Sequence, residues 1–509
     1  MKAIIEINIM KVSEITQLIN LPTQIIDQDI THITDDSRNV TPSSIFICTA
    51  RDPIQATKFC QAALKQNAAL IITGNDTDLS SPKFNLTNQA QEIYETEDRQ
   101  AKCSLESNKI IKVSNPYLIK ARLAKLFYPT QPEYIYAVTG TNGKTSTAHF
   151  TRQLLHLNDL KSASIGTLGM IGDFNNKLEE TGLTSPGVIE FSKLLGELVV
   201  SNINHLAIEA SSHALEQYRI GETNIFSAAF TNFSQDHLDY HLTMQDYFKA
   251  KMILFERLLP PKHLAVLNQD IAEFEQIKQI CTKKAHQVIT FGHKGKDLTI
   301  KDIALNQQGI SLKAEIFGKS RVFQLPLVGK FQAYNLLTAI GLCYPHINLN
   351  TLEEATNQLS SIPGRMEKVN HQKHIFVDYA HKPEALKNIL LAAREHHPKK
   401  LIVVLGCGGN RDALKRPIMG KIASDYSDIQ IITDDNPRFE NPAFIRQAIM
   451  AACPNGIEIA DRAKAIEQAI SMASSEDIVV IAGKGHEQYQ EINNEKLDFN
   501  DIQIATGCM

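Results

Sequence analysis

Residues 140–145 read Gly-Thr-Asn-Gly-Lys-Thr and carry the types and spacing best suited to chemistry in this chain. Apolar, β-branched residues at 135–139 precede them, and apolar residues at helical spacing follow as far as Leu157. Strand, glycine turn and helix in this order are the setting of a phosphate-binding loop, because glycines let phosphates approach backbone N–H groups at a helix start. Lys144 supplies a cation, and Thr145 supplies a hydroxyl where a phosphate-bound Mg²⁺ would lie. A plain strand–helix turn of small residues is the alternative.

Two further polar clusters follow apolar runs of strand length. Glu209 ends one run, and a carboxylate leaving a buried strand near a phosphate loop suits Mg²⁺. The alternative is that the serines after Glu209 begin a helix. The stretch 236–241 holds two His and two Asp, which could bind a metal ion or form an ordinary surface cluster. Lys251 is unexpected beside such sites, since an ammonium would repel both Mg²⁺ and Lys144.

Three polar loops in the last third of the chain also follow apolar strands, and they span 406–412, 433–438 and 483–487. Glycines in the first loop permit close approach of a ligand. Arg411 and Arg438 could grip a carboxylate with planar, forked donors, and Glu487 could accept hydrogen bonds from an ammonium group. An Asp-Asn-Pro turn such as 435–437 needs no function by itself. Together the loops predict a pocket for a zwitterionic ligand.

Bulk composition bounds the function classes. A chain of 509 residues is too long for one core and predicts about three domains. Its 43% hydrophobic and 21% charged content is ordinary for a soluble globular protein, and a net charge of −4 gives no basic footprint for nucleic acid. Eight scattered cysteines without close Cys-x-x-Cys pairs predict reduced, mostly buried thiols. No signal-peptide pattern or run of 18 apolar residues occurs, so we expect a cytoplasmic protein with no membrane partner.

Alternating strand and helix patterns predict an α/β fold of three domains. Residues 1–112 form a small N-terminal α/β domain, with a helix at 57–66 and a polar surface excursion without fold elements at 74–108. Residues 113–345 form a central P-loop ATPase-like domain, a parallel or mixed sheet covered by helices. Residues 346–509 resemble a doubly wound, Rossmann-like domain whose ligands lie beyond the carboxyl ends of its strands.

With these residues in view, the chain resembles the Mur ligases, the ATP-dependent amide-forming enzymes of peptidoglycan precursor synthesis. The motifs that carry the resemblance lie at 140–145, 211–215, 217–219, 236–241, 364–367, 378–381 and the three loops of the last domain. They cover nearly the whole chain. Within the family, the resemblance is nearest to the members that add the third residue of the stem peptide.

The resemblance implies one domain for the uridine nucleotide, one for ATP and one for the incoming amino acid. The residues implied to bind the UDP-N-acetylmuramoyl dipeptide are Ser37, Thr184, Ser185, Ser211, Gln217 and Arg219. Those implied to bind ATP are Gly140, Thr141, Asn142, Gly143, Lys144, Thr145, Asn335 and Arg365. Those implied to bind the amino acid are Arg411, Asp435, Asn436, Pro437, Arg438, Gly483 and Glu487. Leu183 and Ser185 depart from the Asn and Thr that many relatives carry there.

The resemblance also implies the catalytic centre. Lys144, Glu209, His237 and Lys251 receive catalytic roles, and Mg²⁺ is held by Thr145, Glu209, His237 and Lys251. Lys251 matches a lysine that the family carries as a carbamate. Reaction with CO₂ turns its ammonium into an anion that can lie beside metal and phosphates, which removes the conflict noted above.

The sequence Asp435-Asn436-Pro437-Arg438 resembles that of family members that select meso-diaminopimelate, whereas lysine-adding relatives usually lack the arginine. Diaminopimelate has a second carboxylate, and an arginine left unpaired penalises lysine. The implied reaction is ATP-dependent addition of meso-diaminopimelate to the UDP-linked dipeptide through an acyl phosphate, by a monomer. Alternatives are addition of L-lysine, folate polyglutamylation (disfavoured by Thr145, where those enzymes typically have Gly) and a non-catalytic nucleotide-binding regulator.

Overall fold

The computed structural model describes residues 9–21, 27–75, 77, 93–95, 102–107, 109–173, 186–306, 308–369, 372–493 and 495–508. Its contacts divide the chain into two compact units. The first takes 1–144, 159–265 and 275–288, and the second takes 145–158, 266–274 and 289–509. The three predicted domain boundaries stay predictions. Leu183, Thr184 and Ser185 lie outside the described residues.

The strands of the N-terminal part are β1 (Met10–Lys11), β2 (Asp29–Ile30), β3 (His32–Thr34), β4 (Ser44–Ile47), β5 (Leu70–Gly74), β6 (Ile93–Glu95), β7 (Lys102–Ser107) and β8 (Ile110–Val113). Strands β1 and β2 pair with each other, and the other strands build a mixed sheet in the order β3-β4-β5-β8-β7-β6. The helices of this part are α1 (Val12–Leu18), α2 (Pro53–Lys65) and α3 (Pro116–Phe127). Strands β3, β4, β5 and β8 run parallel, and β7 and β6 add antiparallel pairs.

Two predictions for this part need correction. The helix predicted at 57–66 begins at Pro53, because the Asp52 carboxylate caps it by accepting from the backbone N–H groups of Ile54 and Gln55. The prediction that 74–108 carries no fold element is wrong for β6 and β7. They are the last two strands at one end of the sheet, and their antiparallel pairing is compatible with alternating polar and apolar residues.

The middle part contributes ten strands and seven helices to the described chain. The strands are β9 (Tyr134–Thr139), β10 (Ser162–Gly166), β11 (Gly169–Gly172), β12 (His205–Glu209), β13 (Ser227–Phe230), β14 (Leu264–Asn268), β15 (Gln287–Gly292), β16 (Leu298–Asn306), β17 (Gly309–Ile316) and β18 (Lys319–Leu325). The helices are α4 (Lys144–His156), α5 (Val188–Val200), α6 (Ser212–Glu216), α7 (Leu238–His241), α8 (Met244–Ile253), α9 (Phe274–Lys283) and α10 (Phe331–Cys343).

The strand order within the first unit positions the predicted centre. The sequence of neighbours is β11-β10-β12-β9-β13, with β10, β12, β9 and β13 parallel and β11 antiparallel. Strands β12 and β13 are buried along their whole length, which explains their near-continuous apolar runs. Because parallel strands end at the same edge, the loop 140–145, Glu209 and Thr231 all leave the sheet on one side. In the second unit, β16, β17 and β18 form an antiparallel meander.

The last part is a parallel sheet in the order β19-β20-β24-β21-β22-β23, with only β19 antiparallel. Its strands are β19 (Glu367–Lys368), β20 (His374–Asp378), β21 (Leu401–Leu405), β22 (Ile429–Ile432), β23 (Ile457–Glu458) and β24 (Ile478–Ala482), and a separate hairpin comprises β25 (Tyr489–Ile492) and β26 (Glu495–Asp498). The helices are α11 (Leu352–Asn357), α12 (Pro383–Arg394), α13 (Lys415–Tyr426), α14 (Pro442–Met450), α15 (Arg462–Met472) and α16 (Asp501–Gly507). These sheets confirm the predicted α/β class.

Six cysteines are buried as free thiols, namely Cys48, Cys60, Cys281, Cys343, Cys407 and Cys453. This agrees with the prediction of reduced, buried cysteines. Within the described ranges, no helix has the length and apolar character needed to cross a membrane.

A buried ion pair joins α15 to the start of α16. The Arg462 guanidinium donates through Nε and Nη2 to the two carboxylate oxygens of Asp501, at 2.8 and 2.7 Å, and both side chains are 0% exposed. The same Nη2 also donates to the Ala482 carbonyl at the end of β24. Removing one partner of such a pair leaves a buried charge without compensation, which costs far more than the pair contributes.

We therefore expect Asp501→Asn to lower the free energy of unfolding of this part of the chain by about 3–5 kcal/mol. The measurement is urea unfolding followed by circular dichroism. The matched control is Glu476→Gln, which removes one charge from the surface pair of Glu476 and Lys399, whose side chains are 61% and 67% exposed. It should change the free energy of unfolding by less than about 1 kcal/mol. Equal effects of the two substitutions would contradict the role given to the buried pair.

Candidate functional site

The loop 140–145 follows β9 directly and has a conformation that only glycine tolerates at two positions. Gly140 has φ +141° and Gly143 has φ +84°. A Cβ at position 140 would overlap the Thr231 hydroxyl. Lys144, the first residue of α4, donates through Nζ to the carbonyls of Gly140 and Thr141, at 3.1 and 2.7 Å. The loop therefore wraps around the head of its own lysine.

The residues after β13 hold this loop from the neighbouring strand. The N–H of Thr141 donates to the Asn232 carbonyl, and the N–H of Asn142 donates to the Asn232 side-chain oxygen, both at 2.8 Å. The Thr231 hydroxyl donates to the Asn142 carbonyl at 2.6 Å. We did not assign Thr231 or Asn232 a role from the sequence. Their position directly after the strand beside β9 is the signal that could have found them.

Lys251 is buried against the same loop. Its side chain lies in α8, the residue is 1% exposed, and Nζ donates to the Gly140 carbonyl at 2.7 Å. The ammonium lies 4.3 Å from the centre of the Tyr247 ring. Burial, aided by the charge of Lys144 and opposed by Asp236, lowers the pKa of Lys251 well below its usual value. A buried lysine with a lowered pKa presents a neutral, nucleophilic amine.

Glu209 ends β12 and is 2% exposed. Its carboxylate accepts from the backbone N–H of Thr167 at 2.7 Å and from the Thr167 hydroxyl at 3.3 Å. A Cβ at Gly166 would overlap this carboxylate, so the close approach of β10 requires glycine there. These contacts fix the carboxylate at the edge where the phosphate loop leaves the sheet. Ser211 caps α6, as the alternative interpretation predicted, by accepting from the Ala214 N–H at 3.2 Å.

His237 precedes α7 in a left-handed conformation, φ +53°, with its Nε2 3.4 Å from an Asp236 carboxylate oxygen. Its ring packs edge-on against His213, with centroids 4.9 Å apart. Burial, together with the charges of His237 and His241, lowers the pKa of His213 to about 4. No group of three or more His, Cys, Asp or Glu side chains in the described part of the chain is arranged to hold a metal ion.

Two residues implied to bind the uridine substrate lie together. Arg219 donates through Nε and Nη2 to the Gln217 side-chain oxygen, at 3.0 and 2.7 Å. The Gln217 amide donates to the Tyr240 hydroxyl at 2.9 Å, and Arg51 donates to the same hydroxyl. Tyr240 and Arg51 were missed from the sequence, because residues 189 positions apart carry no local signal of contact. Ser37 opens a 3₁₀ turn and its carbonyl accepts from the Gln66 side chain.

The remaining residues implied to bind ATP, Thr145, Asn335 and Arg365, belong to the second unit. Asn335 is buried in α10 and donates to the Gln332 side-chain oxygen at 2.9 Å. Arg365 is exposed in the loop before β19. Asp378 anchors that loop, since its carboxylate accepts from the N–H groups of Met366 and Ala380 at 2.7 and 2.8 Å. Burial raises the pKa of Asp378 to about 6, against these hydrogen bonds and the charge of Arg365.

The loops after β22 and β24 meet around Lys484, which is fully buried. Its Nζ donates to the Asn436 side-chain oxygen and to Glu487 Oε2, both at 2.9 Å, and Asn436 donates to Glu487 Oε2 at 2.9 Å. Asp435 Oδ1 lies 3.6 Å from Lys484 Nζ and, among the described residues, has no hydrogen-bond partner. Gly483, the first residue after β24, has φ +118°, and its N–H donates to the Asp378 carbonyl at 3.0 Å.

The cluster of Asp435, Asn436, Lys484 and Glu487 thus holds two carboxylates and one ammonium. Its formal charge is one negative unit, which favours a further cation such as the ammonium group of an amino acid. Lys484 had no predicted role. Its position between two glycines, directly after an apolar strand, is the sequence feature that could have indicated a functional lysine.

Arg438, in the loop after β22, contacts both the loop after β21 and strand β25. Its Nε donates to Glu491 Oε2 at 2.8 Å, and its Nη1 donates to the Gly409 carbonyl at 2.9 Å. Arg411 is exposed on the loop after β21. A Cβ at Gly408 would lie 2.9 Å from Arg438 Nη1 and 3.9 Å from Arg411 Cγ, so both arginines border that glycine. Pro437 places its carbonyl where a Cβ at Gly409 would fall. The two arginines therefore lie near the same glycine, and their predicted role in binding a carboxylate stays a prediction.

Comparison with known proteins matches the segment that holds the phosphate loop and the segment that holds the loops around Lys484. The family described as "Mur ligase middle domain" matches residues 138–343, and "Mur ligase, glutamate ligase domain" matches residues 364–485. A UDP-N-acetylmuramoyl-L-alanyl-D-glutamate--2,6-diaminopimelate ligase of Rhizobium meliloti (strain 1021) is 37% identical over 479 residues, 93% of each chain. The ligase of the same name from Rickettsia bellii (strain RML369-C) is 41% identical over 410 residues, 79% of this chain and 85% of its own.

A solved structure of a UDP-N-acetylmuramoyl-L-alanyl-D-glutamate--2,6-diaminopimelate ligase superposes with a TM-score of 0.70 at 30% identity, covering 97% of this chain and 98% of its own. A folylpolyglutamate synthase of Mycobacterium tuberculosis complexed with ADP superposes with a TM-score of 0.54 at 16% identity over 72% of this chain and 92% of its own, which shows a shared fold alone. Two matched domains, and relatives aligned along nearly the whole length at this identity, show that the chain belongs to the Mur ligase family.

Proposed function

We propose that this Mur ligase is an ATP-dependent amide ligase that adds meso-2,6-diaminopimelate to UDP-N-acetylmuramoyl-L-alanyl-D-glutamate in peptidoglycan precursor synthesis. Membership of the family and the names of its relatives support the reaction. The observation that carries the choice of amino acid is the position of Arg438. Arg438 borders Gly408 together with Arg411, and its loop also carries Asp435 and Asn436 of the negatively charged cluster around Lys484.

The reaction has two steps, and in both the chain mainly positions its substrates. A carboxylate oxygen of the UDP-linked dipeptide attacks the γ-phosphorus of ATP, and ADP leaves, which gives an acyl phosphate. The amine of diaminopimelate attacks the acyl carbon, loses a proton, and phosphate leaves as the amide forms. Residues 140–145 hold the ATP phosphates, and Lys144 neutralises their charge. Water must be excluded, because it would hydrolyse the acyl phosphate.

Mg²⁺ fits the donors that this chain offers. The Glu209 carboxylate, the Thr145 hydroxyl and a carbamate on Lys251 would supply the hard oxygen ligands that Mg²⁺ prefers, and His237 would add a half-exposed imidazole. The ion would supply positive charge to the transferring phosphoryl group. The buried amine of Lys251 suits carbamylation, since only a neutral amine attacks CO₂ and burial lowers the pKa of Lys251, which favours the neutral form.

The loops after β21, β22 and β24 suit a substrate with two ammonium groups and two carboxylates, such as diaminopimelate. Asp435 Oδ1, which accepts no hydrogen bond from any residue that the structure describes, and the net negative charge of the cluster with Glu487 favour an ammonium group. Arg438 and Arg411, which both lie near Gly408, favour a carboxylate, because forked guanidinium donors bind carboxylates well. A cytoplasmic location, which was expected from the sequence pattern, and a monomeric state are also part of the proposal.

The amino-acid preference is tested by a panel of substrates. With ATP, Mg²⁺ and the UDP-linked dipeptide, we expect kcat/KM for meso-diaminopimelate to exceed that for L-lysine at least about tenfold, because lysine lacks the second carboxylate to which Arg438 would donate. The measurement is phosphate release with each amino acid in turn. Turnover with lysine but not with diaminopimelate would replace the proposed substrate. Turnover that requires tetrahydrofolate would replace the whole reaction, and no turnover with every substrate supplied would favour the non-catalytic alternative.

The carbamate on Lys251 is tested with ¹³C-labelled bicarbonate. We expect one carbamate signal by NMR at neutral pH, and its loss in Lys251→Ala together with a fall in activity of at least about 100-fold, since an anion among the ligands is lost. Lys249→Ala is the matched control, because Lys249 lies in the same helix but pairs with Asp246 at the surface. An active enzyme whose Lys251 carries no label in bicarbonate would contradict the carbamate.

A further inference from the structure

We propose that Glu491 is a positioning residue that fixes the Arg438 guanidinium to receive the second carboxylate of diaminopimelate. Through Arg438 it contributes to the choice of diaminopimelate over lysine. The inference rests on the proposed function and concerns the same site. Glu491 lies in β25, outside the three loops that the sequence analysis singled out.

The backbone of Arg438 is tied to the edge of β25. The backbone of Arg438 has a left-handed conformation, φ +52°, which residues other than glycine adopt rarely and only when their surroundings impose it. Its N–H donates to the Glu491 carbonyl at 3.0 Å, and its carbonyl accepts from the Asn493 N–H at 2.8 Å. These two bonds hold the arginine against the hairpin that carries Glu491.

The side chain of Arg438 is held on two of its three nitrogens. Glu491 Oε2 accepts from Nε at 2.8 Å, and the Gly409 carbonyl accepts from Nη1 at 2.9 Å. Both members of the ion pair are about four-fifths buried, with side-chain exposures of 20% and 21%. Nη2 makes no hydrogen bond to any described residue. Because the guanidinium is planar, fixing two nitrogens also fixes the direction of the third.

Glu491 also connects the carboxylate side of the site to the ammonium side. Its N–H donates to the Asn436 side-chain oxygen at 2.9 Å, and that oxygen also accepts from Lys484. One strand residue therefore holds both Arg438 and Asn436. Residues that hold a binding group from behind raise affinity, because less conformational freedom is lost when the ligand binds.

A different role for Glu491 would be that of a competitor, a carboxylate that occupies the place of the substrate and must leave first. The geometry favours positioning, since Glu491 takes the Nε side and leaves the Nη2 side for another carboxylate. The two roles predict opposite effects of removing the Glu491 carboxylate. A competitor, once removed, improves binding of diaminopimelate, whereas a positioning residue, once removed, weakens it.

The test compares steady-state kinetics of the full-length enzyme and its variants Glu491→Ala, Glu491→Gln, Arg438→Ala and the double Glu491→Ala/Arg438→Ala. We expect Glu491→Ala to raise KM for diaminopimelate about tenfold, to change kcat and KM for ATP less than about threefold, and to lower the ratio of kcat/KM for diaminopimelate over lysine about tenfold. In the Arg438→Ala background the same change should have less than about a twofold effect. Glu491→Gln, which keeps an acceptor, should fall between wild type and Glu491→Ala.

Glu495→Gln is the matched control, since Glu495 lies exposed in β26 of the same hairpin and should leave every constant unchanged. A lower KM for diaminopimelate in Glu491→Ala, an effect equal to that of the control, or an undiminished effect without Arg438 would each overturn the inference. Should Glu491→Ala fail to fold, Glu491→Gln carries the same comparison. A wild-type enzyme that does not use diaminopimelate refutes the proposed function, and this inference with it. Use of diaminopimelate without any effect at Glu491 refutes only the inference.

Discussion

The parallel order β12-β9-β13 is the constraint on which the catalytic side depends. It brings three strand ends to one edge, and each end contributes a different chemical group. The phosphate loop leaves β9, a fixed carboxylate ends β12, and Thr231 with Asn232 leaves β13 and holds the loop by hydrogen bonds. If β9 did not lie between β12 and β13, Glu209 and Thr231 would not both lie beside the phosphate loop.

This arrangement also explains why Lys251 is buried close to a second lysine, where an ammonium group is unfavourable. Lys251 donates to the Gly140 carbonyl from a buried position close to the positive charge of Lys144. A protonated lysine there would cost free energy through desolvation and repulsion, and the lowered pKa expresses that cost. Conversion of the amine into a carbamate reverses the sign of the charge. The burial that disfavours the ammonium thus prepares the residue for its proposed chemistry.

The sequence predicted what depends on neighbours along the chain and missed what depends on neighbours in space. The strand predicted at 135–139 is β9, and β12, β21, β22 and β24 end where the sequence placed the end of an apolar run, because buried parallel strands are short apolar runs. Polar alternation hid the outer strands β6 and β7. The contacts of Glu491 with Arg438, and of Arg51 with Tyr240, join residues that no periodicity connects. Thr184 and Ser185 lie outside the described residues, so their predicted contact with the uridine substrate stays a prediction.

The central claim is that the phosphate loop delivers the γ-phosphoryl group of ATP to a carboxylate of the UDP-linked dipeptide. It is tested most directly by following ¹⁸O from that carboxylate during turnover with meso-diaminopimelate. An acyl phosphate predicts that the released phosphate carries an ¹⁸O atom from the dipeptide, because the carboxylate oxygen that attacks phosphorus departs with it. Released phosphate that carries no label while the amide forms would contradict the account.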